Sequence, residues 1–300
     1  MDMRRHMVTV LESILQENER LVVVLADISA SWFQPQKRVI NLGIMEQTMI
    51  SVAAGLALED FIPVAHSFVP FLVERPFEQL KDDFCYQRLG GNFISTGGSY
   101  DYSIEGMTHQ GPGDIQILRG LPGMQITVPG TAREFEQLFR QAYANGAPTY
   151  YRLSQRVNAT EHEIEFGKLT VISRGRMGTV IAVGPMLEPT MQAVEGLDVS
   201  VLYCTTVAPF DGETLRQECV NERIMLVEPY YTGGLAADIV SAMQQRPVCI
   251  EAIGVPREIL HHYGTPEQHD EALGLTPAGI RTRVSKFLEI GQAKRSRFVI

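Results

Sequence analysis

"VINLGIMEQTMISVAAGLALED", residues 39–60, decides how the rest of the chain is read. A short apolar run meets Gly43, and beyond Met45 comes a helix pattern holding the small residues Ser51, Ala53, Ala54, Gly55 and Ala57. That is a strand end, a turn, and a helix slim enough for another backbone or a bound ring to approach closely. At the seam stands a carboxylate, Glu46. An acid in a first helical turn complements the helix dipole by up to about 1 kcal/mol, which alone would explain it. Its small, apolar neighbours point further. A partly desolvated carboxylate there can share a proton with a ring nitrogen.

Working outward, the same alternation recurs. Residues 20–27, 38–43, 62–68, 91–96 and 124–130 read as buried parallel strands, and residues 5–18, 46–59, 71–89, 112–120 and 131–145 as helices. The pattern predicts an α/β fold of two doubly wound domains. The first covers residues 1–157, and a polar stretch at 158–168 reads as a linker. The second covers 169–300, with strands at 178–184, 198–205, 223–229 and 246–254. Its last helix lies at about 276–290, capped by Thr276 with Pro277 in the first turn. In such sheets ligands sit beyond the carboxyl ends of strands. The informative residues are therefore Asp27–Ser31, Gly43–Glu46, His66–Phe71, Thr96–His109 and Pro129–Thr131.

Bulk properties narrow the function. A chain of 300 residues, 45% hydrophobic and 20% charged, is globular and long enough for two domains. No apolar run is long enough to span a membrane, and the amino-terminal stretch reads as an amphipathic helix, not a signal peptide. The cysteines (Cys85, Cys204, Cys219, Cys249) form no CxxC pair, which argues against zinc or disulfides and suits a reducing cytoplasm. A net charge of −9 without a basic stripe argues against nucleic acid, and the cluster Lys294–Arg297 reads as a solvated tail. No phosphate loop, dinucleotide fingerprint, metal-ligand cluster or nucleophile elbow is present; the "GGLAAD" run at 233–238 is not such a fingerprint.

Two further stretches carry chemistry. "GGSYDYSIEGMTHQGPGD", residues 97–114, packs glycines, tyrosines, acids and His109 into one loop. A loop of that length and content is more often functional than inert, although His109 alone could serve only to cap the next helix. "AHSFVPFLVERPFEQLKDD", residues 65–83, holds Phe68, Phe71 and Phe77. These can fill a core or form a slot for an aromatic ring.

Taken together, "GIMEQ", "EGMTHQ", "ILRGLPGMQITVPGTARE", "TTVAPFD" and "LVEPYYTGGLAADI" resemble segments of the transketolase family across nearly the whole chain. The resemblance implies a pyrimidine-binding domain followed by a transketolase C-terminal domain, working with thiamine diphosphate. It implies that Glu46 hydrogen-bonds the aminopyrimidine and drives it to the imino form that removes the thiazolium proton. A two-carbon ketol unit then passes from a ketose to an aldehyde. Asp27, Ile44, Phe68 and Phe71 match positions around the cofactor ring; His109 and Glu105 match the donor-hydroxyl contacts. Arg4 and Ser31 fall where the family holds a substrate phosphate.

The departures are informative too. The family's diphosphate segment, which binds through Mg²⁺, has no counterpart here, so the resemblance implies a separate N-terminal subunit supplying it and an α2β2 heterotetramer. No metal ligands are expected on this chain. A family histidine is replaced by Gly97, and the arginine of another segment by Gln155, with Arg156 one place later. Loss of a bidentate donor points to a substrate that is unphosphorylated, anionic in another way, or carrier-bound. The alternatives are a β subunit of a 2-oxo-acid dehydrogenase, a pyruvate-condensing synthase, or a non-catalytic assembly subunit.

Overall fold

Side chains of β1 (Leu21–Leu25) alternate between two cores: Leu21, Val23 and Leu25 enter one, Val22 and Val24 the other. A strand buried on both faces belongs in the middle of a parallel sheet. Here β1 lies between β2 (Val39–Asn41) and β3 (Ile62–Phe68), parallel to both. The computed structural model describes residues 2–296, with side chains through Glu289; the cluster Lys294–Arg297 lies outside the residues so described.

The first sheet continues through β4 (Gly91–Thr96), β5 (Gln125–Thr127) and β6 (Pro148–Arg152). Helices α1 (Met3–Glu17) and α5 (Ala132–Ala142) cover one face, and α2 (Glu46–Leu58) and α4 (Asp114–Leu118) the other. The second sheet is built from β7 (Leu169–Ser173), β8 (Thr179–Val183), β9 (Ser200–Cys204), β11 (Arg223–Tyr231) and β12 (Cys249–Val255). Helices α6 (Leu187–Val194) and α10 (Pro277–Ser296) share one of its cores, α7 (Gly212–Glu218) and α8 (Ala236–Met243) the other. Thr276 caps α10 by accepting from Gly279 N at 3.3 Å.

Several elements differ from the sequence reading. The helix expected over 71–89 is instead two π-helical segments, Pro70–Glu74 and Leu80–Tyr86, joined through α3 (Phe77–Gln79). Pro76 cannot donate a backbone hydrogen bond, so a regular α ladder cannot run through it. Strands β6 and β7 and helix α9 (Pro266–Leu273) lie outside the elements that the sequence pattern predicts. A short strand of the second unit, β10 (Thr206–Ala208), pairs antiparallel with β5 and becomes the edge of the first sheet.

The two units are therefore stitched together. Buried Glu134 on α5 accepts from Gly130 N at 2.8 Å and from the Tyr203 hydroxyl of β9 at 2.6 Å. Burial pushes its carboxyl above the usual range. Residues 158–168 contain neither helix nor strand but are packed: Asn158 is buried and donates to Gly184 O at 3.1 Å.

Candidate active site

The ends of β1, β2, β3, β4 and β6 converge on one edge of the first sheet. Two residues beyond β1 the backbone turns left-handed at Asp27 (φ 63°) and again at Ser29 (φ 62°), unusual for residues with a Cβ. Asn41 at the end of β2 fixes the first of these turns, accepting from Asp27 N and donating to Asp27 Oδ1, both at 2.9 Å. The second turn aims the Ser29 hydroxyl inward.

That hydroxyl lies in a polar relay. Arg4 Nε donates to Ser29 Oγ at 2.8 Å, and Ser29 Oγ lies 3.0 Å from His66 Nε2. His66 Nδ1 is 2.7 Å from Ile94 O, a pure acceptor, so Nδ1 carries the proton and Nε2 accepts from Ser29. Complete burial depresses the His66 imidazole to about 4 and keeps it neutral. The Arg4 guanidinium stacks 4.4 Å over Trp32 and 5.5 Å from the Phe68 ring. No carboxylate pairs with it among the described residues.

Phe68 and Phe71 meet edge to face at 6.0 Å, and the His109 ring approaches them at 5.5 and 5.1 Å. His109 does not cap α4; its Nδ1 lies 3.0 Å from Thr108 Oγ1. Phe77, by contrast, is partly buried and packs against the core. Beyond Phe71, the Arg75 guanidinium lies 4.3 Å over that ring and donates to Glu46 Oε2 at 2.7 Å. Glu46 is 1% exposed at the start of α2. An unbroken series of contacts thus joins Arg4, Phe68, His109, Phe71, Arg75 and Glu46. Asp27 and the exposed Ile44 lie on the neighbouring strand-end loops.

Four candidates are placed differently. Ser31 is exposed and makes no side-chain hydrogen bond among the described residues; Ser29 takes the position beside Arg4. Glu105 is exposed in the 3-10 turn Ser103–Glu105, and its carboxylate has no hydrogen-bond or ion-pair partner among the described residues. Gln155 is exposed, its backbone N donating to Asp101 Oδ2 at 2.8 Å. Arg156 is ion-paired with Asp270 and reaches Met186 Sδ at 3.0 Å.

Gly97, which departs from the family pattern, has φ 80°, and a Cβ there would come 2.8 Å from the Tyr102 ring. Tyr102 packs on Phe68 at 4.7 Å and fills the space a side chain at 97 would need. The strand-end ranges Asp27–Ser31, His66–Phe71 and Thr96–His109 contain Ser29, His66 and Tyr102 without singling them out, and Arg75 lies outside all of them. The composition of the "LADIS" and "AHSF" strand ends offered the only signal for the first two.

The chain matches the family model for the transketolase pyrimidine-binding domain over residues 1–159 and that for the transketolase C-terminal domain over 167–280. It is 39% identical, over 93% of each chain, to a protein of Rhodococcoides fascians described as an uncharacterized 33.6 kDa protein in the fasciation locus. It is 29% identical, over 87% of this chain and 86% of the other, to a 6-deoxy-6-sulfo-D-fructose transketolase subunit of a Clostridium species. A solved split-gene transketolase, an inactive β4 tetramer, superposes with a TM-score of 0.82 at 27% identity, covering 96% of this chain and 98% of the other.

Proposed function

Because this chain belongs to the transketolase family, with a pyrimidine-binding domain followed by a C-terminal domain, we propose that it is one subunit of a split, thiamine-diphosphate-dependent transketolase. Its partner is a separate subunit that holds the diphosphate through Mg²⁺, in an α2β2 assembly. Together they move a two-carbon ketol unit from a ketose to an aldehyde. The observation that carries this reading is buried Glu46, joined through Arg75 to the Phe71, His109 and Phe68 cluster.

These residues fit a flat nitrogen ring. Phe68, Phe71 and His109 form apolar walls, and Glu46 is a buried acid with a cation on one oxygen only. When bound, thiamine diphosphate supplies a nucleophilic carbon and an electron sink for cleaving the bond beside a ketose carbonyl. Glu46 Oε1 accepts or gives the proton at the pyrimidine nitrogen, while Arg75 keeps Oε2 oriented. Phe68 and Phe71 exclude water from the ring. His109 contacts a donor hydroxyl. Arg4, oriented by Ser29 and Trp32 and without an acidic partner among the described residues, takes an anionic group of the substrate. The sulfonated sugar named for the Clostridium relative makes a non-phosphate anion a reasonable substrate class.

Calorimetric titration of thiamine diphosphate with Mg²⁺ tests the split site. Binding is expected for the chain mixed with a diphosphate-binding subunit and not for the chain alone. Tight binding to the lone chain would overturn the division. In the mixture, turnover of pyruvate but of no ketose would move the reading to a pyruvate-condensing synthase.

The surface of α2 bears on the partner. Ala53 and Ala54 are buried against the sheet, whereas Ser51 and Gly55 face outward with Ile44, Met45 and Leu58. A Cβ built on Gly55 meets nothing within 4 Å. Glycine inside a helix costs about 1 kcal/mol relative to alanine, and nothing in this chain requires it. Gly55→Ala is expected to stabilise the lone chain by roughly 0.5–1 kcal/mol in thermal unfolding. It should also weaken assembly with the partner in sedimentation experiments. A stabilised chain that assembles as before would remove α2 from the interface.

A further inference from the structure

The loop from Gly97 to Gly113, which carries His109, has little regular structure of its own. It contains two single 3-10 turns, Ser103–Glu105 and Met107–His109, and one isolated bridge between Ser99 and Gly111. Turns of this kind hold their geometry only when fixed from outside. The fixings come largely from the second unit. Tyr100, 5% exposed, hydrogen-bonds through its hydroxyl to the Asp270 carboxylate on α9 and stacks on the His269 ring at 5.0 Å. Ser103 Oγ donates to Gly264 O at 2.6 Å. Gly106 lies so close to the Tyr263 ring that a Cβ would come within 2.7 Å of it.

Asp270 makes a second contact of a different kind. Its other carboxylate oxygen pairs with Arg156, which follows β6 at the same end of the sheet. Asp101 sits between the two, accepting from Ser154 Oγ at 3.1 Å and from Gln155 N at 2.8 Å. One carboxylate of the C-terminal domain therefore ties both segments at the edge of the candidate site to each other. The Asp270 side chain is 14% exposed, so the pair is only weakly screened by solvent.

We propose that Asp270 is a positioning residue for ketol transfer: by holding Tyr100 and Arg156 together it fixes the loop that presents His109 to the donor. The C-terminal domain then does more than support assembly. The proposal rests on the transketolase reading of the site. Asp270 touches neither the aromatic cluster nor Glu46, so its effect travels through the backbone between Tyr100 and His109.

The test combines hydrogen exchange of the lone chain with steady-state kinetics of the assembled enzyme. In Asp270→Ala, amides of residues 101–109 are expected to exchange at least about tenfold faster, as local opening becomes easier. In the assembly kcat should fall about ten- to hundredfold, the cost of a displaced reacting contact, with KM for the acceptor within about twofold of wild type. Tyr100→Phe removes one hydroxyl, leaves the ring stacked, and should reproduce both effects at smaller size. Unchanged exchange in both variants overturns the proposal, as does faster exchange with unchanged kcat. If wild-type assemblies transfer no ketol unit, the functional reading fails, and the exchange data alone then decide whether Asp270 fixes the loop.

Discussion

Glu46→Gln is expected to lower turnover of the assembled enzyme by about a hundred- to ten-thousandfold, the usual contribution of a positioned proton-transfer group. Glutamine keeps the shape and still accepts a hydrogen bond from Arg75, so the change isolates the loss of an ionisable oxygen. The structural cost should be small. Arg75 keeps 39% of its side chain exposed, and water can solvate it when the charge opposite disappears. Glu46→Ala would add a cavity at the start of α2 and confuse packing with chemistry. The measurement is ketose turnover at saturating partner subunit and cofactor, with assembly checked by sedimentation. Turnover within about threefold of wild type would remove Glu46 from the reaction and favour a non-catalytic assembly subunit.

The legible and illegible parts of this molecule differ for physical reasons. The seam at Glu46 could be read because an apolar run, a glycine and a small-residue helix are local signals, each set by neighbouring residues. The loop around His109 was legible through its composition. The Arg4, Ser29 and His66 relay was not, because it depends on left-handed turns at Asp27 and Ser29 that no periodicity announces. The two π-helical segments were hidden because the apolar pattern continues past Pro76. Strand β10 was invisible: three residues of the second unit pair with β5 some eighty residues earlier, and only the tertiary structure decides that. The contact of Tyr100 with Asp270, residues 170 apart in sequence, belongs to the same class.

A buried ion pair beneath the site should be costly to break from one side. Arg152 and Asp114 are 1% and 0% exposed, and Arg152 Nε donates to Asp114 Oδ2 at 2.7 Å. The Tyr150 hydroxyl donates to the same oxygen at 2.7 Å, and Arg152 Nη2 donates to Ser99 Oγ at 2.8 Å. Ser99 in turn hydrogen-bonds Pro229 O on β11. Arg152 therefore joins the end of β6, the start of α4, the His109 loop and the second sheet. Arg152→Met leaves Asp114 charged, buried and short of its cation, which typically costs about 3–5 kcal/mol. That is a large part of the roughly 5–15 kcal/mol that holds a domain folded. Removing both charges, as in Arg152→Met with Asp114→Leu, should recover most or all of that loss, because two ions no longer need desolvation. Urea unfolding of the single and double variants measures both terms, with an unchanged slope showing that the same surface is exposed. If Arg152→Met costs under about 1 kcal/mol, water has replaced the guanidinium and the pair is not the anchor. With the expected result, a severely destabilised single variant and a largely restored double one, the pair adds less to stability than it demands of its surroundings. Its value then lies in fixing where Ser99, and with it the His109 loop, stands relative to the second sheet.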